Sequence, residues 1–291
     1  MSRIVGGLAT SHVPAIGAAI ARGVQKEPYW SPFFDAFVPA REWLSKVKPD
    51  VVVMFYNDHG LNFFLDKMPT FAVGAAAEYL NADEGWGLPV QPSYPGDPDL
   101  SWHLIERLTA EEFDLTTCQE MKVDHAFVVP MELMWPGDER PVRAVPIAIN
   151  TVQHPLPSPA RCFKLGQAVG RAIRSYAKDL NVLVVGTGGL SHQLDGERAG
   201  FINKPFDLFS MDALVRDPQM LTGYSSLELV ELAGSQGVEL LMWIAMRAAL
   251  GEGASEMMRN YHVPISNTAS GLLVLEPRSP PDLAFAHGEA I

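Results

Sequence analysis

Three histidines in this chain each follow an apolar run by a few residues. Ile4-Val5-Gly6-Gly7-Leu8-Ala9 leads through Thr10 and Ser11 to His12, and Val51-Val52-Val53-Met54-Phe55-Tyr56 leads through Asn57 and Asp58 to His59. Val182-Leu183-Val184-Val185 leads through a glycine-rich turn to His192. Imidazoles suit metal binding and proton transfer near neutral pH. A fourth candidate is acidic. Glu239 stands in Val238-Glu239-Leu240-Leu241-Met242-Trp243-Ile244-Ala245-Met246, a helical run that is apolar on nearly every side. An ionised carboxylate there is costly unless it is paired or binds a metal, and a salt bridge to Arg247, two turns on, is the competing explanation. Two imidazoles and one carboxylate form the facial triad of non-haem iron(II), which leaves coordination positions open. His12, His59 and Glu239 could supply it, although their spacing carries no local signature such as His-Glu-x-x-His.

The neighbouring residues leave alternatives open. Asn57 and Asp58 are either groups that orient a metal-bound imidazole or turn residues that end the strand. His192 is a candidate third ligand and equally a candidate general acid or base. The turn before it, Gly186-Thr187-Gly188-Gly189-Leu190-Ser191, has serine where a dinucleotide fingerprint needs its third glycine. Ser11 and Ser191 precede histidines, but the chain has no Gly-x-Ser-x-Gly elbow. His125, in Val123-Asp124-His125-Ala126-Phe127, reads as a loop residue placed for substrate contact. His103 reads as a helix-surface residue and His287 as part of a tail, while structural roles are favoured for His154 and His262.

The elements that must position these groups follow from periodicity. Besides the three runs above, Thr70 to Val73, Ala144 to Ile149 and Leu272 to Leu275 read as strands. Helical patterns cover Phe33 to Lys46, Leu100 to Glu112, Cys162 to Ala177 and Val238 to Leu250. This alternation predicts a single α/β domain over 1–277, with a mixed central sheet flanked by helices. In such folds ligands bind beyond the carboxyl ends of the strands, which is where the three histidines fall. Proline-rich segments at Pro89 to Pro98 and His154 to Pro159 read as irregular excursions over a site, and 278–291 as a tail outside the core.

Composition excludes several classes. With 291 residues, 47% apolar and 19% charged, the chain is globular and long enough for a sizeable core. A formal charge of −12 argues against nucleic acid as a partner. An anionic substrate would need local positive charge from a bound cation or a partner chain. No stretch is apolar and long enough to span a membrane. Two cysteines, Cys118 and Cys162, provide no disulfide framework. With no room for a signal peptide before the first strand, the expectation is a cytoplasmic protein.

Six segments, taken in order, carry a family resemblance. They are Gly7-Leu8-Ala9-Thr10-Ser11-His12-Val13-Pro14-Ala15, Tyr56-Asn57-Asp58-His59, Val123-Asp124-His125, Gly186 to Gln193, Gly237-Val238-Glu239-Leu240, and Tyr261-His262-Val263-Pro264-Ile265-Ser266-Asn267-Thr268-Ala269. Together they resemble the class III (LigB-type) extradiol ring-cleavage dioxygenases, above all the catalytic β subunits that act on protocatechuate. The resemblance runs from residue 1 to about Pro277.

It implies that His12, His59 and Glu239 bind Fe(II), that His192 is the acid/base group, and that His125 and Ser266 meet the substrate. It also implies cleavage of a catechol-type aromatic acid, protocatechuate or a relative such as gallate, with O2 to a carboxylated hydroxymuconic semialdehyde. A separate small α subunit capping the site in a hetero-oligomer is expected by the same resemblance. A zinc hydrolase on the same ligands and a non-catalytic binding protein of the same fold are the alternatives.

Overall fold

The computed structural model describes residues 1–85, 89–137 and 141–278; the expected tail lies outside the described residues except for Arg278. In chain order the elements begin with β1 (Arg3–Thr10), α1 (Pro14–Arg22), α2 (Ser31–Phe34), α3 (Phe37–Val47), β2 (Val51–Tyr56), β3 (Phe71–Gly74), β4 (Glu78–Asn81) and β5 (Tyr94–Pro95). They continue with α4 (Pro98–Ala110), β6 (Thr116–Cys118), β7 (Lys122–Val123), α5 (His125–Met134), β8 (Arg143–Ile149), α6 (Pro159–Ser175) and β9 (Asn181–Thr187). The last are α7 (Lys204–Arg216), α8 (Ser226–Ala233), α9 (Leu240–Ala249), β10 (Ala254–Ile265) and β11 (Thr268–Pro277).

An eight-stranded sheet runs in the order β10-β11-β1-β9-β2-β8-β3-β6. Its centre is parallel: β1 pairs with β9, β9 with β2, and β2 with β8 in the same direction, while β10, β11 and β3 add antiparallel pairings. The mixed α/β sheet expected from the sequence is therefore present. Every residue of β2 is buried, as a parallel strand covered on both faces requires. Val51, Val53 and Phe55 pack into one core with α4, α6 and α9, and Val52, Met54 and Tyr56 into a second with α1, α3 and α5. That alternation is the strand period of two.

Neighbouring parallel strands end on the same edge, and this brings the histidines together. β1, β9 and β2 are adjacent, and His12, His192 and His59 each follow the last residue of one of them within a short loop.

Local readings needed correction in several places. The helix expected over Phe33 to Lys46 is two helices, α2 and α3, separated at Asp35-Ala36. The helix expected from Val238 begins as a tight 3-10 turn over Gly237–Glu239, so Glu239 sits at the mouth of α9 and not within it. His125 is no loop residue but the first residue of α5, whose N-cap Asp124 accepts the Ala126 N–H at 3.0 Å. The apolar stretch after His125 hides its helix because Pro130, a usual helix breaker, stands inside it.

Close backbone packing of α6 on α9 depends on glycine. A Cβ at Gly166 would lie 2.8 Å from the Ala245 carbonyl carbon and 2.9 Å from its Cα. Gly166→Val is therefore expected to lower stability by about 2–3 kcal/mol, the usual cost of overpacking, measured by urea unfolding. A midpoint unchanged from wild type would contradict this packing.

Candidate active site

Glu239 is the hub of the site. It is 4% exposed, and three imidazoles face it within 4 Å. Oε2 lies 3.5 Å from His12 Nε2 and 3.8 Å from His192 Nε2, and Oε1 lies 3.8 Å from His59 Nε2. Asn57 Nδ2 donates to Oε1 at 3.2 Å, and the Gly189 N–H donates to Oε2 at 2.9 Å. No Lys or Arg pairs with it among the described residues, and the sequence alternative of an Arg247 salt bridge does not hold. Arg247 instead donates to the carbonyls of Leu214 at 2.7 Å and Gly251 at 2.8 Å. Burial alone would push the Glu239 carboxyl up, but the surrounding imidazoles hold it well below the usual carboxylate range. Its place at the start of α9 adds the positive end of a helix dipole.

The loop beside Glu239 must come very close. A Cβ at Gly188 would lie 2.7 Å from Glu239 Cβ and 2.8 Å from Oε2, and the residue has a φ of +111°. Only glycine meets both demands. Trp243 Nε1, one turn into α9, donates to the Gly188 carbonyl at 2.9 Å and fixes loop against helix.

Each imidazole is oriented through its other nitrogen. His12 Nδ1 lies 3.2 Å from Thr187 Oγ1, at the end of β9. His59 Nδ1 lies 3.0 Å from Asp124 Oδ2, which also accepts the His59 backbone N–H at 2.8 Å. His192 Nδ1 lies 2.9 Å from the Leu190 carbonyl. With Nδ1 engaged in each case, every Nε2 is left facing the carboxylate. This is the arrangement that metal-bound histidines adopt.

Of the two polar residues before His59, Asp58 is the turn residue. Its Oδ2 accepts backbone N–H groups from Leu61 at 3.0 Å and Phe63 at 3.1 Å. Asn57 does face the cluster. The carboxylate that orients His59 is Asp124, 65 positions away, for which spacing gives no signal; its one sequence mark is the N-cap position immediately before His125.

His125 joins His12 and His59 in space. The three offer nitrogens within 4.8 Å of one another, and the His125 ring stacks on His59 with centroids 4.2 Å apart. Glu84 holds it, with Oε1 at 2.7 Å from Nδ1 and Oε2 accepting the backbone N–H at 2.7 Å. Glu84 lies in a polar loop and is a second residue that sequence reasoning missed.

All six predicted residues, His12, His59, His125, His192, Glu239 and Ser266, line one cavity of about 620 Å³. Ser266 sits in the two-residue turn between β10 and β11 at φ +56°. His154 also lines the cavity, whereas His103 binds the Ala172 carbonyl at 3.0 Å away from it. His262 lies on β10, its Nε2 buried without a partner, and His287 is outside the described residues. No Lys or Arg is among the described residues of the lining.

Residues 6–271 match the family described as the catalytic LigB subunit of aromatic ring-opening dioxygenase. The chain belongs to the LigB family. Among its relatives, a gallate dioxygenase of Pseudomonas putida is 42% identical over 198 residues, which cover 68% of this chain and 58% of that one. A 2,3-dihydroxyphenylpropionate/2,3-dihydroxicinnamic acid 1,2-dioxygenase of Rhodococcus jostii is 37% identical, over 54% of this chain and 48% of that one. The match thus spans about half the length of these two relatives. A further enzyme of the latter name, from Pseudomonas putida, is 30% identical over 78% of this chain and 84% of its own. The fold is also that of an uncharacterized protein from Escherichia coli K12, solved as a crystal structure. It has a TM-score of 0.54 at 13% identity and covers 93% of this chain and 99% of its own. No helix among the described residues is long and apolar enough to cross a membrane.

Within this LigB domain the His59–Asp124 pair makes a prediction for metal-free protein. Burial lowers the His59 pKa, but Asp124 and, after it, Glu239 outweigh burial and raise His59 to about 10. Burial raises Asp124, and His59 brings it down to about 2. The His59 contribution to stability is complete below its unfolded value of 6.5 and lost as pH rises through about 10. The Asp124 contribution is complete above 3.8 and lost as pH falls through about 2. After chelation, the drop in Tm caused by Asp124→Asn is expected to be larger at pH 5.5, roughly the middle of that window, than above the His59 value. An equal drop at both would contradict the pairing.

Proposed function

We propose that residues 1–277 form the catalytic domain of an Fe(II)-dependent extradiol dioxygenase that opens the ring of protocatechuate, or of a close analogue such as gallate, with O2. The product is a carboxylated hydroxymuconic semialdehyde. The observation that carries this reading is the convergence of three imidazole Nε2 atoms on one buried carboxylate that lacks a Lys or Arg partner among the described residues. A buried charge of that kind is accounted for by a bound cation. Two neutral nitrogens and one carboxylate are also the donor set that suits iron(II) and leaves room for other ligands. The gallate dioxygenase relative supports a trihydroxy- or dihydroxybenzoate over other catechols.

In this reading His12, His59 and Glu239 hold the metal, which supplies the Lewis acidity and redox chemistry that the side chains lack. Thr187 and Asp124 fix the two imidazoles so that Nε2 faces inward. His192 is the proton-transfer group. Its Nε2 takes a proton from a substrate hydroxyl and, once charged, returns one to oxygen as the ring opens. That role follows the family resemblance; like those of His12 and His59, its Nε2 faces Glu239. His125, clamped by Glu84, and Ser266 contact the substrate from other parts of the cavity.

The substrate carboxylate meets no Lys or Arg in the described lining. A small α subunit seated over the cavity would supply that charge and exclude water. Cys118 and Cys162 are buried free thiols, which supports a reducing cytoplasm as the compartment.

Protein reconstituted anaerobically with Fe(II) is expected to take up oxygen with protocatechuate or gallate and form a yellow ring-fission product. His192→Ala is expected to lower kcat by about 10²–10⁴-fold, the usual worth of general acid–base catalysis, with iron retained. Oxygen uptake that survives exhaustive iron removal would overturn the reading. So would zinc as the native metal of anaerobically purified protein, which would turn the same ligands toward hydrolysis.

A further inference from the structure

Asp207 is a buried carboxylate, 2% exposed, that does not line the cavity and has no Lys or Arg partner among the described residues. It stands on α7 and binds the residue next to His192. Its Oδ1 accepts the Ser191 backbone N–H at 2.9 Å, and its Oδ2 accepts the Ser191 hydroxyl at 2.6 Å and the Tyr261 hydroxyl at 2.9 Å. Ser191 Oγ accepts in turn from the Asn203 N–H at 2.8 Å. Ser191 is thereby tied to α7, to the turn that enters α7, and to β10.

This matters because of how the His192 ring is held. Its Nδ1–H donates to the carbonyl of Leu190, two residues back, so the ring bond spans Ser191. Any change in the Ser191 backbone torsions moves the Leu190 carbonyl relative to the imidazole. On its other side the segment is pinned by Leu190 N–H to Ala269 O at 2.8 Å and by His192 N–H to Ala233 O at 2.8 Å. Ser191 N–H and Oγ are the links that only Asp207 and Asn203 satisfy among the described residues.

We propose that Asp207 is a positioning residue for His192, acting through Ser191 to hold the imidazole with Nε2 toward Glu239. The claim rests on the reading of His192 as the proton-transfer group. A fully hydrogen-bonded buried carboxylate is suited to the task because it locks several donors at once, and a partly satisfied network loses that rigidity. Asp207→Asn is nearly isosteric but puts a donor where an acceptor stood. At Oδ1 the amide nitrogen would meet the Ser191 N–H, and at Oδ2 it would face the Ser191 hydroxyl, which already accepts from Asn203 and would have to stop donating.

The test uses the iron-loaded protein and, separately, the metal-free protein. Asp207→Asn and Ser191→Ala are each expected to lower kcat by about ten- to a hundredfold, as a misplaced catalytic group does, with KM and iron content near wild type. In a His192→Ala background Asp207→Asn is expected to cost nothing further, because a positioning residue has nothing left to position. By NMR of the metal-free protein, the His192 Nδ1 proton is expected to exchange slowly with solvent in wild type and rapidly in both variants. Wild-type kcat in Asp207→Asn, losses that multiply in the double variant, or an imidazole proton unchanged in both variants would each overturn the proposal. If Asp207→Asn fails to fold, Ser191→Ala carries every readout, including the double variant with His192→Ala. Absence of oxygen uptake by wild type with any catechol would count against the proposed reaction, and the imidazole proton would still decide the positioning role.

Discussion

A carboxylate buried among imidazoles, with no Lys or Arg beside it in the described structure, sets the terms for everything around it. Glu239 needs hydrogen bonds and positive charge, and the fold supplies them from distant parts of the chain: the Gly189 N–H, the Asn57 amide, the start of α9, and His12, His59 and His192. Each demand constrains backbone. Gly188 has to be glycine because the loop passes against the carboxylate, and Trp243 holds that loop to the helix. The parallel order β1-β9-β2 then becomes a requirement of the site, since it delivers three loops to one edge.

The gross plan was legible in the sequence for a physical reason. Central parallel strands are buried on both faces, so Val51 to Tyr56 and Val182 to Val185 appear as unbroken apolar runs, and the histidines that follow them are conspicuous. Glu239 was legible as a lone charge in an apolar run, although its true setting is a 3-10 turn ahead of α9. The apolar period cannot place a helix start by itself when the first turn is equally apolar.

The supporting residues were far less legible. Asp124, Glu84, Thr187 and Asp207 act across separations of 16 to 175 positions, and nothing in local spacing marks such pairs. Asp58 illustrates the converse. It stands next to His59 and looks like its partner, yet it spends its oxygens on the backbone of its own turn. Adjacency in sequence fixes proximity but not the direction a side chain takes. Helix α5 was hidden by Pro130, and with it the fact that Asp124 serves two ends, capping α5 and orienting His59.

The division of labour among the imidazoles is the central claim, and iron stoichiometry tests it most directly. Wild type and the variants His12→Ala, His59→Ala, Glu239→Ala and His192→Ala would be loaded with Fe(II) anaerobically, freed of excess metal and assayed for bound iron. The account predicts about one iron per chain in wild type and in His192→Ala, and a large loss in the other three, as removal of a coordinating side chain causes. Iron lost equally from His192→Ala, or retained by Glu239→Ala, would contradict it.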